Sequence, residues 1–322
     1  MSQKAAIGVD IGGTSVKLGV VNSQGRVLEY RSFLTDKRKS RKKQLDTLAA
    51  HIQELIRLAK NKKLKVLGVG IGAPGPIDVE RGFVYFFPNI PGWKNTPLKA
   101  ILERRLKLPV AVDNDANAMA LGEFLFGAGR GAKNIIALTL GTGVGGGIVM
   151  GGRLFHGSHY SAAEIGHLVI NENGPRCGCG SRGCIETYVG NGYFIKEVER
   201  RLRTGQKSVL RAWLKKKEKL TPLLVSQAAQ NGDRFSQEIW RETGEHLGTA
   251  LAGLVDVLNP EKIILGGGIA QNGKLLFNPV IKTLRKKAFP IASRSVKVVP
   301  AALGVDAGLV GAAALVLVNR TK

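Results

Sequence analysis

A pattern that occurs twice constrains the fold of this 322-residue sequence more than any other feature. Residues 5–21 and 134–150 each read as an apolar strand, a glycine-rich turn and a second apolar strand. Ile11-Gly12-Gly13 and Leu140-Gly141-Thr142 hold matching places in the two patterns, 129 residues apart. A repeat over half a chain predicts two similar domains that face each other.

The segments around the two hairpins complete an α/β pattern. Residues 43–60 carry apolar side chains at spacings of three and four, which predicts an amphipathic helix. Further strands are expected at 27–32, 64–73, 108–112 and 262–265, and helices at 96–106, 116–127, 307–318 and through much of 190–258. We expect an N-terminal domain over residues 1–128, with the C-terminal helix at about 306–322 packing back on it. The second domain is expected over residues 129–305.

The charge of the chain is strongly positive, with 48 Lys and Arg against 24 Asp and Glu, a net +24. The basic runs are dispersed beside helical patterns, and aromatic residues make up only 6% of the chain. A basic solvated surface with a general attraction for polyanions is therefore favoured over a specific nucleic-acid site. No uninterrupted apolar stretch of about 18 residues and no signal-peptide pattern is present, so we expect a cytoplasmic protein without a membrane partner.

Three glycine-rich turns are candidate phosphate or nucleotide sites. The first, Asp10 to Lys17, offers backbone N–H groups at Gly12 and Gly13 and the hydroxyl of Thr14, and Asp10 could hold Mg²⁺ through water. The second runs from Gly141 through Thr142 and Gly143 to Gly147. The third, Gly266-Gly267-Gly268, removes side chains where a flat group might lie against the backbone. Each turn, taken alone, is also compatible with an ordinary turn.

Residues 112–117 place polar side chains between a predicted buried strand and a predicted helix. This is the usual position of a site in an open α/β sheet. A carboxylate there, above all Asp115, can take a proton from an attacking hydroxyl. Asp113, Asn114 or Asp115 could instead cap the following helix.

The most specific motif is His167 followed by Cys177, Cys179 and Cys184, the only cysteines of the chain. Three thiolates and one imidazole form the closed tetrahedral set that is typical of structural zinc. His156 and His159 lie nearby, but neither is needed to complete the set. Glu164 and Glu186 flank the loop, and a zinc ion would fix both carboxylates, which accept hydrogen bonds from sugar hydroxyls.

Together these residues resemble the ROK family of repressors, open reading frames and sugar kinases over nearly the whole chain, and within it the bacterial ATP-dependent glucokinases. The segments that carry the resemblance are VDIGGTSVKLGVV, GIGAPGPID, NIPGW, VDNDANAMALGE, LTLGTGVGGGIV, AEIGH, CGCGSRGCIE and ILGGGIA. The resemblance implies an actin-like ATPase fold (ribonuclease H-like) whose two domains close on a cleft. It also implies ATP with Mg²⁺ as the phosphoryl donor and a hexose, glucose first, as the acceptor.

The resemblance also implies individual roles. Asp115 matches the catalytic base of the family, and the sugar ligands match Gly75, Asn89, Asn114, Asp115, Glu164, His167 and Glu186. The nucleotide is expected at Asp10, Gly12, Gly13, Thr14, Lys17, Gly141, Thr142 and Gly143, with adenosine near Gly267 and Gly268. His167 would then contact both the zinc ion and the sugar.

Two departures from the family pattern stand out. The family usually has A-G-E before I-G-H, whereas this chain has Ala162-Ala163-Glu164, and the added methyl group could shift substrate choice. Residues 204–235 resemble the family weakly and receive no role. Family repressors carry a helix-turn-helix ahead of the kinase body, and this chain reaches its first predicted strand by residue 6.

Several alternatives stay open. The acceptor could be N-acetylglucosamine, N-acetylmannosamine, mannose or fructose, and the donor could be polyphosphate. A sugar-responsive regulator is a third reading, which the positive charge favours. A homo-oligomer, dimer or tetramer, is expected from the resemblance.

Overall fold

The computed structural model describes residues 3–215 and 218–318. The strands in chain order are β1 (Lys4–Ile11), β2 (Ser15–Asn22), β3 (Val27–Leu34), β4 (Lys65–Ala73), β5 (Ile77–Asp78), β6 (Phe83–Phe86), β7 (Lys94–Thr96), β8 (Val110–Asn114), β9 (Ile135–Leu140), β10 (Val144–Met150), β11 (Arg153–Leu154), β12 (Lys262–Gly266) and β13 (Lys297–Pro300). Both predicted hairpins and the further predicted strands are confirmed. Met1 and Ser2, Lys216 and Lys217 of a basic run, and positions 319–322 of the predicted C-terminal segment lie outside the described residues.

The helices lie largely where the apolar periodicity predicts them. In chain order they are α1 (Arg41–Asn61), α2 (Leu98–Leu106), α3 (Asp115–Phe126), α4 (Glu186–Val189), α5 (Asn191–Arg203), α6 (Leu210–Lys215), α7 (Pro222–Gln230), α8 (Arg234–Leu258), α9 (Lys274–Lys287), α10 (Pro290–Ser295) and α11 (Ala307–Leu317). In α1 the predicted apolar positions are the buried ones, and the Ser40 side chain caps its N-terminus by accepting from the Lys43 N–H. Within the described ranges, no helix combines the length and the apolar character that a membrane crossing needs.

Two five-stranded sheets have the same topology. The first has the order β3-β2-β1-β4-β8 and the second the order β11-β10-β9-β12-β13. In the first sheet, β1 to β3 are antiparallel and β4 and β8 run parallel to β1. In the second, β10 and β11 are antiparallel, and β12 and β13 run parallel to β9. The repeat that the two hairpins predict is therefore a repeat of the whole sheet. A small antiparallel sheet of β5, β6 and β7 follows β4 in the chain.

The chain divides into two compact units. One comprises the described residues of 1–133, 147–163 and 301–322, and the other those of 134–146 and 164–300. The domain boundary predicted from the sequence places residues 147–163 in the second domain, whereas in the structure this segment groups with the first unit. The contacts of Gly147 give the reason, because a Cβ added to it would lie 2.8 Å from the Ala116 carbonyl oxygen of α3.

Helix α11 lies in the first unit, between the first sheet and α3. It is apolar on all sides, as a fully buried helix is, and all but one of its residues are buried. On one side, a Cβ added to Gly70 of β4 would lie 1.7 Å from the Ala312 carbonyl oxygen. On the other side, a Cβ added to Gly311 would lie 1.7 Å from the Ala118 carbonyl oxygen of α3. The sheet, α11 and α3 are therefore in backbone contact, and glycine is required at both positions.

We predict that Gly311→Ala destabilises the protein by about 1–3 kcal/mol, because the new methyl group forces α11 and α3 apart. Gly253→Ala on α8 is the matched control, since among the described residues no atom lies within 4 Å of its added Cβ. The control should stabilise the protein by about 0.5–1 kcal/mol through helix propensity. Urea unfolding followed by circular dichroism measures both changes. Equal effects of the two substitutions would contradict the close packing of α11.

Candidate active site

The first glycine turn joins β1 to β2, and hydrogen bonds to its backbone hold it in place. The Gly12 N–H donates to the Ser15 carbonyl oxygen at 2.9 Å. Thr35, which follows β3, donates its hydroxyl to the Gly12 carbonyl oxygen at 2.8 Å and its N–H to the Thr14 carbonyl oxygen at 2.9 Å. These bonds fix the backbone of the turn, while the Thr14 side chain stays exposed.

Asn89, a predicted sugar ligand, lies against this turn. A Cβ added to Gly13 would be 3.3 Å from the Cβ of Asn89. Asn89 is exposed at the tip of a loop that Trp93 anchors, with its indole N–H donating to Gln44 Oε1 at 2.7 Å and its ring stacked on Phe87 at 4.6 Å. The structure therefore brings a predicted sugar residue next to a predicted phosphate residue.

Asp10 is the penultimate residue of β1 and lies beside the first turn of α11. A Cβ added to Gly308 would lie 2.8 Å from the Asp10 carboxylate, so the absence of a side chain there makes room for it. Burial raises the pKa of Asp10, and the nearby charge of Lys17 opposes this shift. The Lys17 ammonium group also donates to the Val305 carbonyl oxygen at 3.2 Å. A cation near Asp10 would favour its ionised form.

The turn from β8 to α3 carries Asn114 and Asp115. Asn114 is the residue that caps α3, because its Oδ1 accepts from the N–H groups of Ala116 and Asn117. Its amide nitrogen lies 3.4 Å from the carbonyl oxygen of Gly75, whose φ of +89° favours glycine. Asp115 is half-buried at the first position of α3, with Oδ1 accepting from the Ala116 N–H at 2.8 Å.

Asp113, immediately before this turn, is buried with only 1% of its surface exposed. Its Oδ1 accepts from the Asn114 N–H at 2.7 Å and from the Asn117 amide at 3.0 Å. Its Oδ2 lies 2.7 Å from His156 Nε2. Hydrogen bonding to Asp113 raises the pKa of His156, although burial of the ring opposes the shift. This pair could not be predicted from the sequence, because the two residues are 43 positions apart and follow no periodic pattern.

The second glycine turn, in the second unit, contacts a predicted sugar ligand. The Gly141 N–H donates to the Gly143 carbonyl oxygen at 2.9 Å, which closes the turn. Glu186, at the start of α4, accepts from the Val144 N–H through Oε2 at 2.9 Å. A Cβ added to Gly143 would lie 2.2 Å from the same oxygen. Glycine is therefore needed at 143 to admit the carboxylate, and the exposed Thr142 lies at the tip of the turn.

Glu164 and His167 belong to a segment that packs against the start of β10. Glu164 precedes the short 3-10 helix Ile165–His167, and His167 is its last residue, whose N–H donates to the Glu164 carbonyl oxygen at 3.0 Å. A Cβ added to Gly166 would lie 2.1 Å from the Val144 carbonyl oxygen, so this helix lies in backbone contact with β10. Both side chains are exposed. Val144 thus connects the second turn, Glu186 and the Glu164–His167 segment.

The third glycine turn follows β12 beside the end of β9. Gly267 has a φ of +87°, and a Cβ added to it would lie 2.4 Å from the Leu140 carbonyl oxygen. A Cβ added to Gly268 meets no heavy atom within 4 Å in the described part of the chain. The turn therefore contacts Leu140, the residue before the second glycine turn, through Gly267. At Gly268 it presents an open backbone surface.

The four predicted metal ligands converge. His167 Nδ1 lies 3.7 Å from the sulfur of Cys177, and the sulfurs of Cys179 and Cys184 are also 3.7 Å apart. All four ligand atoms lie within 4.8 Å of one another, so the group can hold a metal ion. In the metal-free state burial raises the pKa of Cys184 to about 12, and metal binding must displace this proton.

The backbone around this cluster is ordered by short-range bonds. The Cys177 N–H donates to the Ser181 carbonyl oxygen at 2.8 Å, and an isolated β-bridge pairs Val169 with Cys184. The Gly178 N–H donates to the Tyr193 hydroxyl of α5 at 3.1 Å. Tyr193 was not predicted, because nothing in its spacing relates it to the cysteines.

Ala163, where the sequence departs from the family pattern, has a φ of +67°. This left-handed conformation favours glycine, since a Cβ comes close to the neighbouring carbonyl oxygen. Alanine is therefore strained at the residue immediately before Glu164. The conformation also explains in physical terms why glycine is the usual residue there.

Comparison with known proteins identifies the family of this chain. The model of the ROK family matches residues 6–319. The glucokinase of Halalkalibacterium halodurans is 38% identical over 98% of this chain and 96% of its own length. The crystal structure of a ROK family glucokinase from Streptomyces griseus, in complex with glucose and AMPPNP, superposes with a TM-score of 0.81 at 37% identity, covering 97% of this chain and 99% of that one. The xylose repressor of Caldicellulosiruptor bescii is 31% identical over 97% of this chain and 77% of its own length.

The chain is thus an actin-like ATPase fold protein with mixed α/β content. It belongs to the ROK family. Both the predicted fold class and the predicted family are confirmed.

We predict that Ala163→Gly stabilises the protein by about 1 kcal/mol by relieving the left-handed strain. Ala162→Gly is the control, because Ala162 is not among the residues with positive φ. That substitution should leave stability unchanged or lower it by about 0.5–1 kcal/mol. Thermal unfolding at fixed protein concentration measures both. A gain from Ala162→Gly equal to that from Ala163→Gly would contradict the strain.

Proposed function

We propose that this protein is an ATP-dependent glucokinase, which transfers the γ-phosphoryl group of ATP to the 6-hydroxyl of glucose. The observation that carries the proposal is the likeness to a glucokinase over 98% of the chain. It is supported by the likeness to a glucokinase bound to glucose and AMPPNP, which is an analogue of ATP. The xylose repressor of Caldicellulosiruptor bescii has a lower sequence identity, 31% against 38%, which ranks a regulatory role lower.

We assign the catalytic base to Asp115. Its carboxylate takes the proton of the 6-hydroxyl as that oxygen bonds to the γ-phosphorus and the bond to ADP breaks. It lies at the first position of α3, directly after the residue that caps this helix.

We propose individual sugar contacts from the hydrogen bonds that the candidate ligands already make. Asn114 uses Oδ1 to cap α3, so we assign its amide N–H to a sugar oxygen. Glu186 uses Oε2 for the Val144 N–H, so we assign Oε1 to a sugar hydroxyl. The remaining proposed ligands are Gly75, Asn89, Glu164 and His167. Glucose is favoured over mannose, fructose and the N-acetylated hexosamines because three relatives that are each 38% identical to this chain are glucokinases.

The residues of the three glycine turns are the proposed nucleotide ligands. The N–H groups of Gly12, Gly13, Gly141 and Gly143 and the hydroxyls of Thr14 and Thr142 would contact the phosphates, with Lys17 nearby. The open backbone at Gly267 and Gly268 suits a flat adenine. Asp10 would hold Mg²⁺ through water, and this ion would neutralise charge on the transferred phosphoryl group.

The metal cluster is proposed to be a structural zinc site. In a tetrahedral site with zinc–sulfur distances of about 2.3 Å, two thiolates lie roughly 3.8 Å apart. The sulfurs of Cys179 and Cys184 are 3.7 Å apart, which fits this geometry. His167 would then be fixed by the ion through Nδ1, leaving Nε2 for the sugar. A homo-oligomer stays a proposal that rests on the family alone.

We predict that Asp115→Ala and Asp115→Asn lower kcat by about 10²–10⁴-fold, because each removes the base. Glucose binding should survive in part. A coupled assay of glucose 6-phosphate and calorimetric titration with glucose measure the two effects, and Asp46→Ala on the surface of α1 is the control. Near-normal turnover of the Asp115 variants would reject the assignment of the base.

A separate assay tests the proposed substrates. It compares a panel of hexoses as acceptors, each with ATP and with polyphosphate as the donor.

We predict that Cys184→Ser lowers bound zinc from about one ion per chain to a small fraction of that, because a buried thiolate ligand is lost. The glucose KM should rise, since His167 is no longer held. Elemental analysis and steady-state kinetics measure these effects. Ser181→Ala changes a hydroxyl of the same loop and leaves the four ligands intact, so it should retain zinc. Full zinc content in Cys184→Ser would contradict the site.

A further inference from the structure

We infer that His156 is a positioning residue for the proposed phosphoryl transfer, holding through Asp113 the turn that carries Asn114 and Asp115. The inference rests on the proposed function and adds to it a residue that the family resemblance did not assign. His156 and Asp113 both belong to the first unit.

The bonds of the Asp113 carboxylate are directed at the catalytic turn. One oxygen accepts from the backbone N–H of Asn114 and from the side chain of Asn117, which lie on either side of Asp115. The other oxygen contacts His156 at 2.7 Å. Asp113 therefore braces the backbone on both sides of the proposed base. Its two bonds to the turn stay in place only if the carboxylate itself is held.

His156 is the group that holds this carboxylate. Asp113 is almost fully buried, and a buried carboxylate is costly unless it is paired and hydrogen-bonded. The Asn114 and Asn117 donors are neutral, so the imidazole is the ionisable partner that the structure gives it. Hydrogen bonding to Asp113 favours the protonated imidazole, which makes the bond charge-assisted.

His156 is itself fixed by rigid backbone. It follows β11, which pairs with β10 through Val149 and Leu154. The N–H of the preceding residue, Phe155, donates to the Ile148 carbonyl oxygen at 2.8 Å. The carbonyl oxygen of His156 accepts from the Ala162 N–H at 3.1 Å, which closes the following loop. The imidazole is therefore presented to Asp113 by a hairpin rather than by a free loop.

A positioning role makes a specific kinetic prediction. The turn carries a proposed sugar ligand and the proposed base, whereas the nucleotide is assigned to the glycine turns. Loss of His156 should therefore lower kcat and raise the glucose KM, while the ATP KM stays within about twofold. Groups that orient functional side chains typically contribute about 10- to 100-fold, and we expect kcat/KM for glucose to fall in this range.

The experiment compares His156→Ala, His156→Gln and the control His159→Ala in the full-length protein. Glutamine can bring an amide donor to the place of Nε2, so His156→Gln should recover most of the loss. His159 is exposed in the same loop, and its replacement should leave the kinetics unchanged. Steady-state kinetics with glucose and ATP are measured below the melting temperature of each variant, so that only folded protein is compared.

Three results would overturn the inference. The first is His156→Ala protein with wild-type kinetics, even if its melting temperature falls. The second is an ATP KM that rises as much as the glucose KM. The third is a His156→Gln variant no better than His156→Ala. Should His156→Ala fail to fold, Asp113→Asn keeps the size of the side chain, and it must show the same glucose-specific loss.

Failure of the proposed function would look different. In that case the wild-type protein itself would phosphorylate none of the hexoses, and the inference would fall with the function. With an active wild-type enzyme, only the comparison among the variants decides the role of His156.

Discussion

The close packing of α11 against the first sheet and α3 is the constraint on which the first unit depends. Gly70 and Gly311 admit backbone contact on the two sides of this helix, so the spacing of three layers is fixed without side chains between them. Asp10 is the penultimate residue of a strand of that sheet and lies beside Gly308, and Asp115 begins α3. The positions of the proposed magnesium ligand, Asp10, and of the proposed base, Asp115, therefore both depend on the packing of α11.

A buried carboxylate reinforces this arrangement at the other end of α3. Glu123, which has no exposed surface, accepts from the N–H groups of Ala128, Ala302 and Leu303 at 2.8–3.0 Å. These bonds tie the end of α3 to the segment that leads into α11. In the second unit, Val144 has a comparable role, because its N–H binds Glu186 and its carbonyl oxygen contacts Gly166. Each unit thus orients its proposed ligands through backbone contacts.

Features encoded by neighbouring residues could be predicted from the sequence, and features that join distant residues could not. The hairpins, α1 and the metal cluster follow from periodicity and spacing within short segments. The bond between Asp113 and His156 joins positions 43 apart, and that between Val144 and Glu186 joins positions 42 apart. Neither has a local signature. The assignment of 147–163 to the first unit has the same cause, since it depends on how Gly147 packs against α3.

The segment from His156 to Glu164 connects two proposed functions within nine residues. Its first residue braces the turn that bears the base, and its last is a proposed sugar ligand. Between them, Gly157, Tyr160 and Ala163 have positive φ, so the backbone path is specified by unusual conformations rather than by regular structure. The strained conformation of Ala163 is retained because hydrogen bonds at both ends of the segment hold its backbone in place. A substitution in this segment can therefore alter the base and the sugar contacts together.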